Sequence, residues 1–316
     1  MTRLLRSDPD ELDAYVTRIA AATGIPAAHI EKDYWVTEVL RGISEASRQS
    51  GCSIVFKGGT SLSKAHHLIQ RFSEDVDLVA VLPAGGVKAK DAALKAFIAG
   101  AVTSTGLDSE TDPSATTRGV KRTAVLNYPT AYGSGNLRPG VLIEMGTRGG
   151  ALPQRRLAVQ SLITEHAESI GLPIDFAESQ PVSILVLEPI RTLVDKLMLL
   201  HHTATEGDAQ RKSVTARHYY DVDRLLRNDD VVAQLSEPPV DVLAREVTEH
   251  SRAAGLPTVD RPKGGFAASP AWDATASTEA ADAYHDIVLA NLVWAGAPRS
   301  DFESCCARVH ELAHLL

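Results

Sequence analysis

A chain of 316 residues is long for one compact core and favours two domains that share an interface, while 44% hydrophobic and 23% charged residues exclude a disordered protein. A formal net charge of -8 weighs against binding that rests on bulk attraction to nucleic acid, yet basic pairs such as Lys121-Arg122, Arg155-Arg156 and Arg211-Lys212 leave room for a local contact. Three cysteines without CxxC spacing exclude a disulfide framework and a zinc finger, and with no apolar leader and no run of ~18 apolar residues the expectation is a cytoplasmic protein that does not cross a membrane.

In chain order, Asp8 to Ala22 predicts a helix with Leu12, Val16 and Ile19 on one face, closed by the Gly24-Ile25-Pro26 turn. A second helix is predicted from Ala27 to about Gln49, with Tyr34, Trp35, Val36, Val39 and Leu40 as a broad buried stripe. Ser53 to Phe56 is a short β-branched run that predicts a buried strand, and it ends in Lys57-Gly58-Gly59-Thr60-Ser61. Leu62 to Gln70 predicts a helix, Ser73-Glu74 a turn and Val76 to Val81 a second strand. Further on come a helix over Asp91 to Ala101, a polar loop over Thr103 to Thr117, and strands over Val120 to Tyr128 and Val141 to Met145, joined by a glycine-rich turn region, Ala131 to Gly140. One more strand is predicted at Ser183 to Leu187.

From Glu188 the pattern turns helical: Pro189 to Thr203 with proline in the first turn, Thr215 to Arg227, Val240 to Ala254, Ser277 to Trp294 and Asp301 to Leu316. The stretch from Gly255 to Ala274 is rich in Gly, Pro and Ala and predicts a long surface loop. The fold class is therefore α+β, with a mixed-sheet domain in residues 1–187 and a helical domain in residues 188–316.

The chemistry-bearing residues follow this order. Gly58-Gly59-Thr60-Ser61 stands between a strand and a helix, where absent side chains let backbone N–H groups approach a phosphate. It lacks the GxxxxGK[ST] spacing of a Walker loop, and by itself a GGTS turn is equally a tight strand-to-helix connection. Asp75 and Asp77 are two apart at the head of the next strand, so both carboxylates point to one side and need a cation between them. Magnesium takes carboxylates together with phosphate oxygens, so the loop and the aspartates together predict a site for a metal-bound nucleotide. Glu144 is the one acid inside the apolar strand Val141-Leu142-Ile143-Glu144-Met145; it either completes the metal site or faces solvent on an edge strand.

Lys57-Gly58-Gly59-Thr60-Ser61-Leu62-Ser63-Lys64 with Arg71-Phe72-Ser73-Glu74-Asp75-Val76-Asp77-Leu78 resembles the first motif of the DNA polymerase beta-like nucleotidyltransferase superfamily, and within it the AbiEii/MenT family of toxin nucleotidyltransferases. The resemblance runs from about Ile30 to Leu226. It takes in Glu31-Lys32-Asp33-Tyr34, Pro189-Ile190-Arg191-Thr192-Leu193-Val194-Asp195-Lys196-Leu197 and Arg217-His218-Tyr219-Tyr220-Asp221-Val222. It implies a polymerase beta-like domain whose active site is completed by the helical domain, with Lys57 to Ser61 and Lys196 at the nucleotide and Asp75 and Asp77 at the metal. Asp221 is then required for activity. The implied reaction is magnesium-dependent transfer from a nucleoside triphosphate to a tRNA 3′ end, which blocks translation as the toxin of a type IV toxin-antitoxin system with a cognate antitoxin. The resemblance also implies a regulatory position at Ser73, where phosphorylation by a partner would silence the site; a plain turn residue is the alternative.

Lys196 sits among Leu193, Leu197 and Leu200 on its helix, so it needs either an anionic ligand or a buried partner such as Asp195 or Asp221. Asp221 reads otherwise as a helix-surface acid paired with Arg217 at i,i+4. His66-His67 and His201-His202 cannot each send both rings into one site from a helix, and His310-Glu311-Leu312-Ala313-His314 matches the zincin spacing only at the end of a helix with no third ligand after it. A non-catalytic nucleotide sensor, an RNA-binding scaffold and transfer to protein hydroxyls are the alternatives to tRNA modification.

Overall fold

The computed structural model describes residues 3–316 except 83, 134–136, 148, 149, 207, 208, 237, 238, 254, 256, 257 and 276, and except the side chains of 206 and 209. Parts of the turn predicted over 131–140, of the loop over 255–274 and the last residue of the helix over 240–254 lie outside the described residues. The chain forms two compact units, Met1–Ala65 with Ser73–Thr147 and Gln154–Val186, and His66–Phe72 with Arg148–Pro153 and Leu187–Leu316.

The first unit is built on a seven-stranded sheet, in the order β3-β4-β5-β2-β1-β7-β6. Its strands are β1 (Ser53–Lys57), β2 (Val76–Val81), β3 (Asp108–Thr111), β4 (Lys121–Asn127), β5 (Val141–Gly146), β6 (Gln154–Val159) and β7 (Val182–Leu187). The sheet is mixed: β1 runs antiparallel to β2 and parallel to β7, while β5 runs parallel to β2 and antiparallel to β4. Its helices are α1 (Pro9–Thr23), α2 (Ala27–Ser50), α3 (Gly58–Lys64), α4 (Val87–Thr105) and α5 (Leu162–Ala167). Asp8 caps α1 by accepting from the Glu11 N–H, and Gly24, at φ 74°, closes it in the left-handed conformation that glycine adopts without strain. α2 packs against α4 through glycines: a Cβ on Gly42 would come within 2.8 Å of the Ala101 Cα.

Helix α3 departs from the predicted pattern. It begins at Gly58, so Gly58-Gly59-Thr60-Ser61 is its first turn and not a free loop, and it stops at Lys64 where a helix to Gln70 was expected. His67 takes a positive φ of 53°, which an α-helix does not contain, and Gln70 and Phe72 pair their backbone groups with Trp294 and Leu292 far along the chain in the second unit. The region expected as a polar loop over 103–117 instead contains the end of α4 and all of β3, whose four residues are exposed.

The second unit carries α6 (Pro189–Glu206), α7 (Ala209–Thr215), α8 (Arg217–Leu226), α9 (Asp229–Ala233), α10 (Val240–Ala253), α11 (Thr278–Ala283), a π-helical stretch over Tyr284–Leu292 and α12 (Phe302–Glu311). The helix expected over 215–227 starts only at Arg217, because Ala216 separates two shorter helices. The stretch 255–274 is not a surface loop throughout. It folds into two tight helical turns that bury Phe266, Ala271 and Trp272, with Tyr219 edge-on to Trp272 at 5.1 Å and donating its hydroxyl to the Ala271 carbonyl. No helix among the described residues is long and apolar enough to cross a membrane.

Candidate active site

In the first unit the register of three strands aligns the expected site residues. Lys57 on β1 pairs with Asp77 on β2, and Asp77 pairs with Glu144 on β5. Directly paired residues project to the same face of a sheet, so Lys57, Asp77 and Glu144 share one face across neighbouring strands. Asp75, two residues before Asp77, lies just ahead of β2. Glu144 is not simply turned to solvent; its carboxylate accepts from Lys121 Nζ at 2.8 Å.

The glycine turn is packed onto this row. Gly58 has a φ of 80°, and a Cβ built there would fall on Asp77 Oδ2 and lie 3.1 Å from its Cγ, so another residue would be strained and would have to push the Asp77 carboxylate aside. Thr60 and Ser61 are buried and turn their hydroxyls inward: Thr60 Oγ1 donates to the Asp75 carbonyl at 2.7 Å and lies 2.9 Å from Ser73 Oγ, while Ser61 Oγ donates to the Gly58 carbonyl at 2.9 Å. Both side chains thus shape the turn, and what the turn offers a phosphate is backbone. Ser73 is tied by the same contact to the glycine turn.

Among the described residues no group of three or more His, Cys, Asp or Glu side chains is gathered closely enough to hold a metal ion. Two carboxylates beside a glycine turn nevertheless suit magnesium, which is held by one or two carboxylates plus substrate phosphates and seldom by an all-protein cage. The donor set fits a cation that arrives with a nucleotide.

In the second unit Lys196 and Asp221 meet directly. Lys196 Nζ lies 2.7 Å from Asp221 Oδ2 and 3.1 Å from His218 Nδ1. An ammonium only donates, so Nδ1 accepts and the neutral ring carries its proton on Nε2. Arg71 completes the cluster with a bidentate pair, Nε to Oδ1 at 2.6 Å and Nη2 to Oδ2 at 2.7 Å. Arg71 is delivered by the extended stretch that pairs with residue 293, and Lys196 by α6, where Leu193, Leu197 and Leu200 are buried around it.

Asp221 is fully buried and so is not the surface acid of a solvated helix. Burial alone would raise its pKa, but Arg71 and Lys196 hold the carboxyl well below its usual range. Burial lowers Lys196 despite Asp221, and burial followed by the Lys196 charge pushes His218 down to about 3. Two cations, Arg71 and Lys196, therefore surround one carboxylate and a neutral imidazole. The sequence marks Lys196 and Asp221 but gives no part to Arg71 or His218, although both stand inside the quoted motifs, because neither interrupts an apolar run.

His66 Nε2 lies 2.9 Å from the Leu187 carbonyl and His201 Nδ1 lies 2.8 Å from Ser269 Oγ. α12 ends at Glu311, so His314 is off the helix that holds His310, and Glu311 pairs with Arg308 at 3.0 Å.

Residues 41–291, a span that contains the glycine turn, Asp75, Asp77 and the Lys196–Asp221 cluster, match a family of nucleotidyltransferases, which sets the class of this protein. The chain belongs to the nucleotidyl transferase AbiEii toxin family of type IV toxin-antitoxin systems. Among solved structures, MenT4, a nucleotidyltransferase toxin from Mycobacterium tuberculosis H37Rv, aligns with 16% identity over 96% of each chain at a TM-score of 0.39. No curated protein sequence matches.

Proposed function

We propose that the protein transfers a nucleotide from a nucleoside triphosphate to the 3′ end of tRNA in a magnesium-dependent reaction, blocking translation until a cognate antitoxin restrains it. The observation that carries this is the close approach of Gly58 to Asp77, which sets a glycine turn directly against a carboxylate that any added side chain would displace. Asp75 and Asp77 would hold magnesium, which when bound neutralises the triphosphate and stabilises the attacking and leaving oxygens. The turn from Gly58 to Ser61 orients phosphate through its backbone, and Lys57 adds positive charge on the face of Asp77. Lys196 is assigned to the phosphates on the resemblance of Pro189 to Leu197 to the family's motif, within the span that the family matches. Asp221, with both oxygens taken by Arg71 and Lys196, acts by holding Lys196 and not as a metal ligand.

Incubation of the purified chain with each labelled nucleoside triphosphate, magnesium and total RNA should label the tRNA fraction. Asp75→Ala should lower that rate by more than the ~10–100-fold typical of losing an outer-shell group, while leaving the fold intact. Label found on protein and not RNA would move the acceptor to protein hydroxyls. Transfer by Asp75→Ala at the wild-type rate would remove the site assignment altogether.

A further inference from the structure

Helix α2 carries two adjacent charges, Lys32 and Asp33, each of which reaches a residue next to the proposed site. Lys32 has no exposed surface, and its ammonium donates to the carbonyls of Arg138 at 2.6 Å and Gly140 at 2.5 Å and pairs with Glu74 Oε2 at 3.0 Å. Three donors meet three acceptors, which is what a buried ammonium requires. The acceptors flank the acid-bearing strands: Glu74 directly precedes Asp75, and Gly140 directly precedes β5 with Glu144. Glu74 also accepts from the Arg138 N–H at 3.0 Å, so one closed ring ties the entry of β2 to the entry of β5.

Asp33, the next residue, does the same for the other half. Its Oδ1 accepts from Lys64 Nζ at 2.5 Å, and its Oδ2 accepts from the Leu162 N–H at 2.7 Å. Lys64 is the last residue of α3, whose first turn is Gly58 to Ser61. The preceding Glu31 provides a comparison, because it accepts from Thr130 Oγ1 at 2.6 Å and from the Ala131 N–H at 3.0 Å, and those two partners lie neither on α3 nor beside Asp75.

We propose that Lys32 and Asp33 are positioning residues with separate charges: Lys32 sets the aspartate pair for the metal, and Asp33 sets the glycine turn for the triphosphate. The assignment rests on the nucleotidyl-transfer site proposed above. A role in stability alone predicts that both variants lose melting temperature and nothing else. A positioning role predicts that each loses a different parameter.

Three measurements on the full chain separate these outcomes: Mn2+ affinity by electron paramagnetic resonance without nucleotide, KM for the nucleoside triphosphate at saturating metal, and melting temperature. Lys32→Met should raise the Mn2+ Kd by ~10–100-fold, the usual cost of an outer-shell partner. Asp33→Asn should leave that Kd within about twofold and raise KM by ~10-fold or more, since a shift of about 1 Å in a positioned group is that costly. Glu31→Gln should change only the melting temperature. Should Lys32→Met melt below the assay temperature, Lys32→Arg keeps the charge but alters the geometry, and a raised Mn2+ Kd is again expected. Lys32 and Asp33 variants indistinguishable from Glu31→Gln in Kd and KM would overturn the proposal. If wild type binds Mn2+ no better than Asp75→Ala, the metal site itself fails, which is a separate result.

Discussion

Gly58 is the residue on which the candidate site turns, because its left-handed backbone strains any side chain and a Cβ there would displace the Asp77 carboxylate. Gly58→Ala should cost ~1–2 kcal/mol from the backbone alone and, by displacing Asp77, lower transfer by ~100-fold; a melting curve beside a rate measurement separates the two. Ser73 has its Oγ 2.9 Å from Thr60 Oγ1, two residues ahead of Asp75, so a phosphate there would bring about -1.5 to -2 charges to the glycine turn. If modification silences the site, Ser73→Glu should inactivate far more than Ser73→Ala at saturating magnesium and nucleotide; equal activity in the two would leave Ser73 as a turn residue. His218 gives a pH signature. Its folded pKa of about 3 lies below the ~6.5 of an unfolded histidine, so its contribution to stability is complete above pH ~6.5 and is lost as pH falls toward 3, at up to ~1.4 kcal/mol per pH unit. Urea unfolding between pH 7 and pH 4 should show a shallower acid loss in His218→Gln than in wild type, and equal slopes would count against a neutral buried ring. At this scale the sequence made Asp75, Asp77 and the glycine pair readable, since they are local in the chain. Lys196 was readable as a partner of Asp221 from its place on an apolar helix face, but Arg71 was not, because it lies 150 residues away and nothing in its own neighbourhood marks it.

Helices and strands with an apolar period were legible before the fold was known, and those without one were not. α1 and α2 announce themselves through Asp8, Gly24 and a stripe of large apolar residues, and β2 through five apolar residues interrupted only by Asp77. β3 has no apolar residue and β6 has Arg155 and Arg156 exposed at its centre, so neither shows the alternation by which a half-buried strand is read. The turns at Phe266–Ala268 and Pro270–Trp272 were hidden for the opposite reason, because glycine and proline suggested a loop while Phe266 and Trp272 supplied buried mass. The close approach of α2 to α4 gives a test of the scaffold. Gly42→Val would push into the Ala101 backbone and Ser104 and should destabilise the chain by ~1–3 kcal/mol, read as a lower melting temperature. If the melting temperature stays unchanged, the two helices are free to separate by the width of a side chain.

As a whole molecule the protein carries a formal net charge of -8, which must be reconciled with the RNA acceptor proposed above. Contacts to phosphates release counterions, so KM for tRNA should rise steeply between 50 and 200 mM salt, by about 10-fold or more, while KM for the nucleotide at fixed magnesium changes much less. A salt-independent acceptor KM would favour a protein substrate. The sheet has a further consequence for how copies of this chain behave together. β3 ends the sheet with β4 as its one neighbour, so a row of its backbone groups faces outward, and Asp108 and Glu110 stand on one side of it. The polarity that hides β3 from pattern reading also guards it: a strand adding to that edge from another molecule would have to bury two carboxylates. With valine at both positions the chain should still fold but should grow into larger particles on concentration, visible by light scattering, and the toxin would then be limited by its solubility before any antitoxin acted on it.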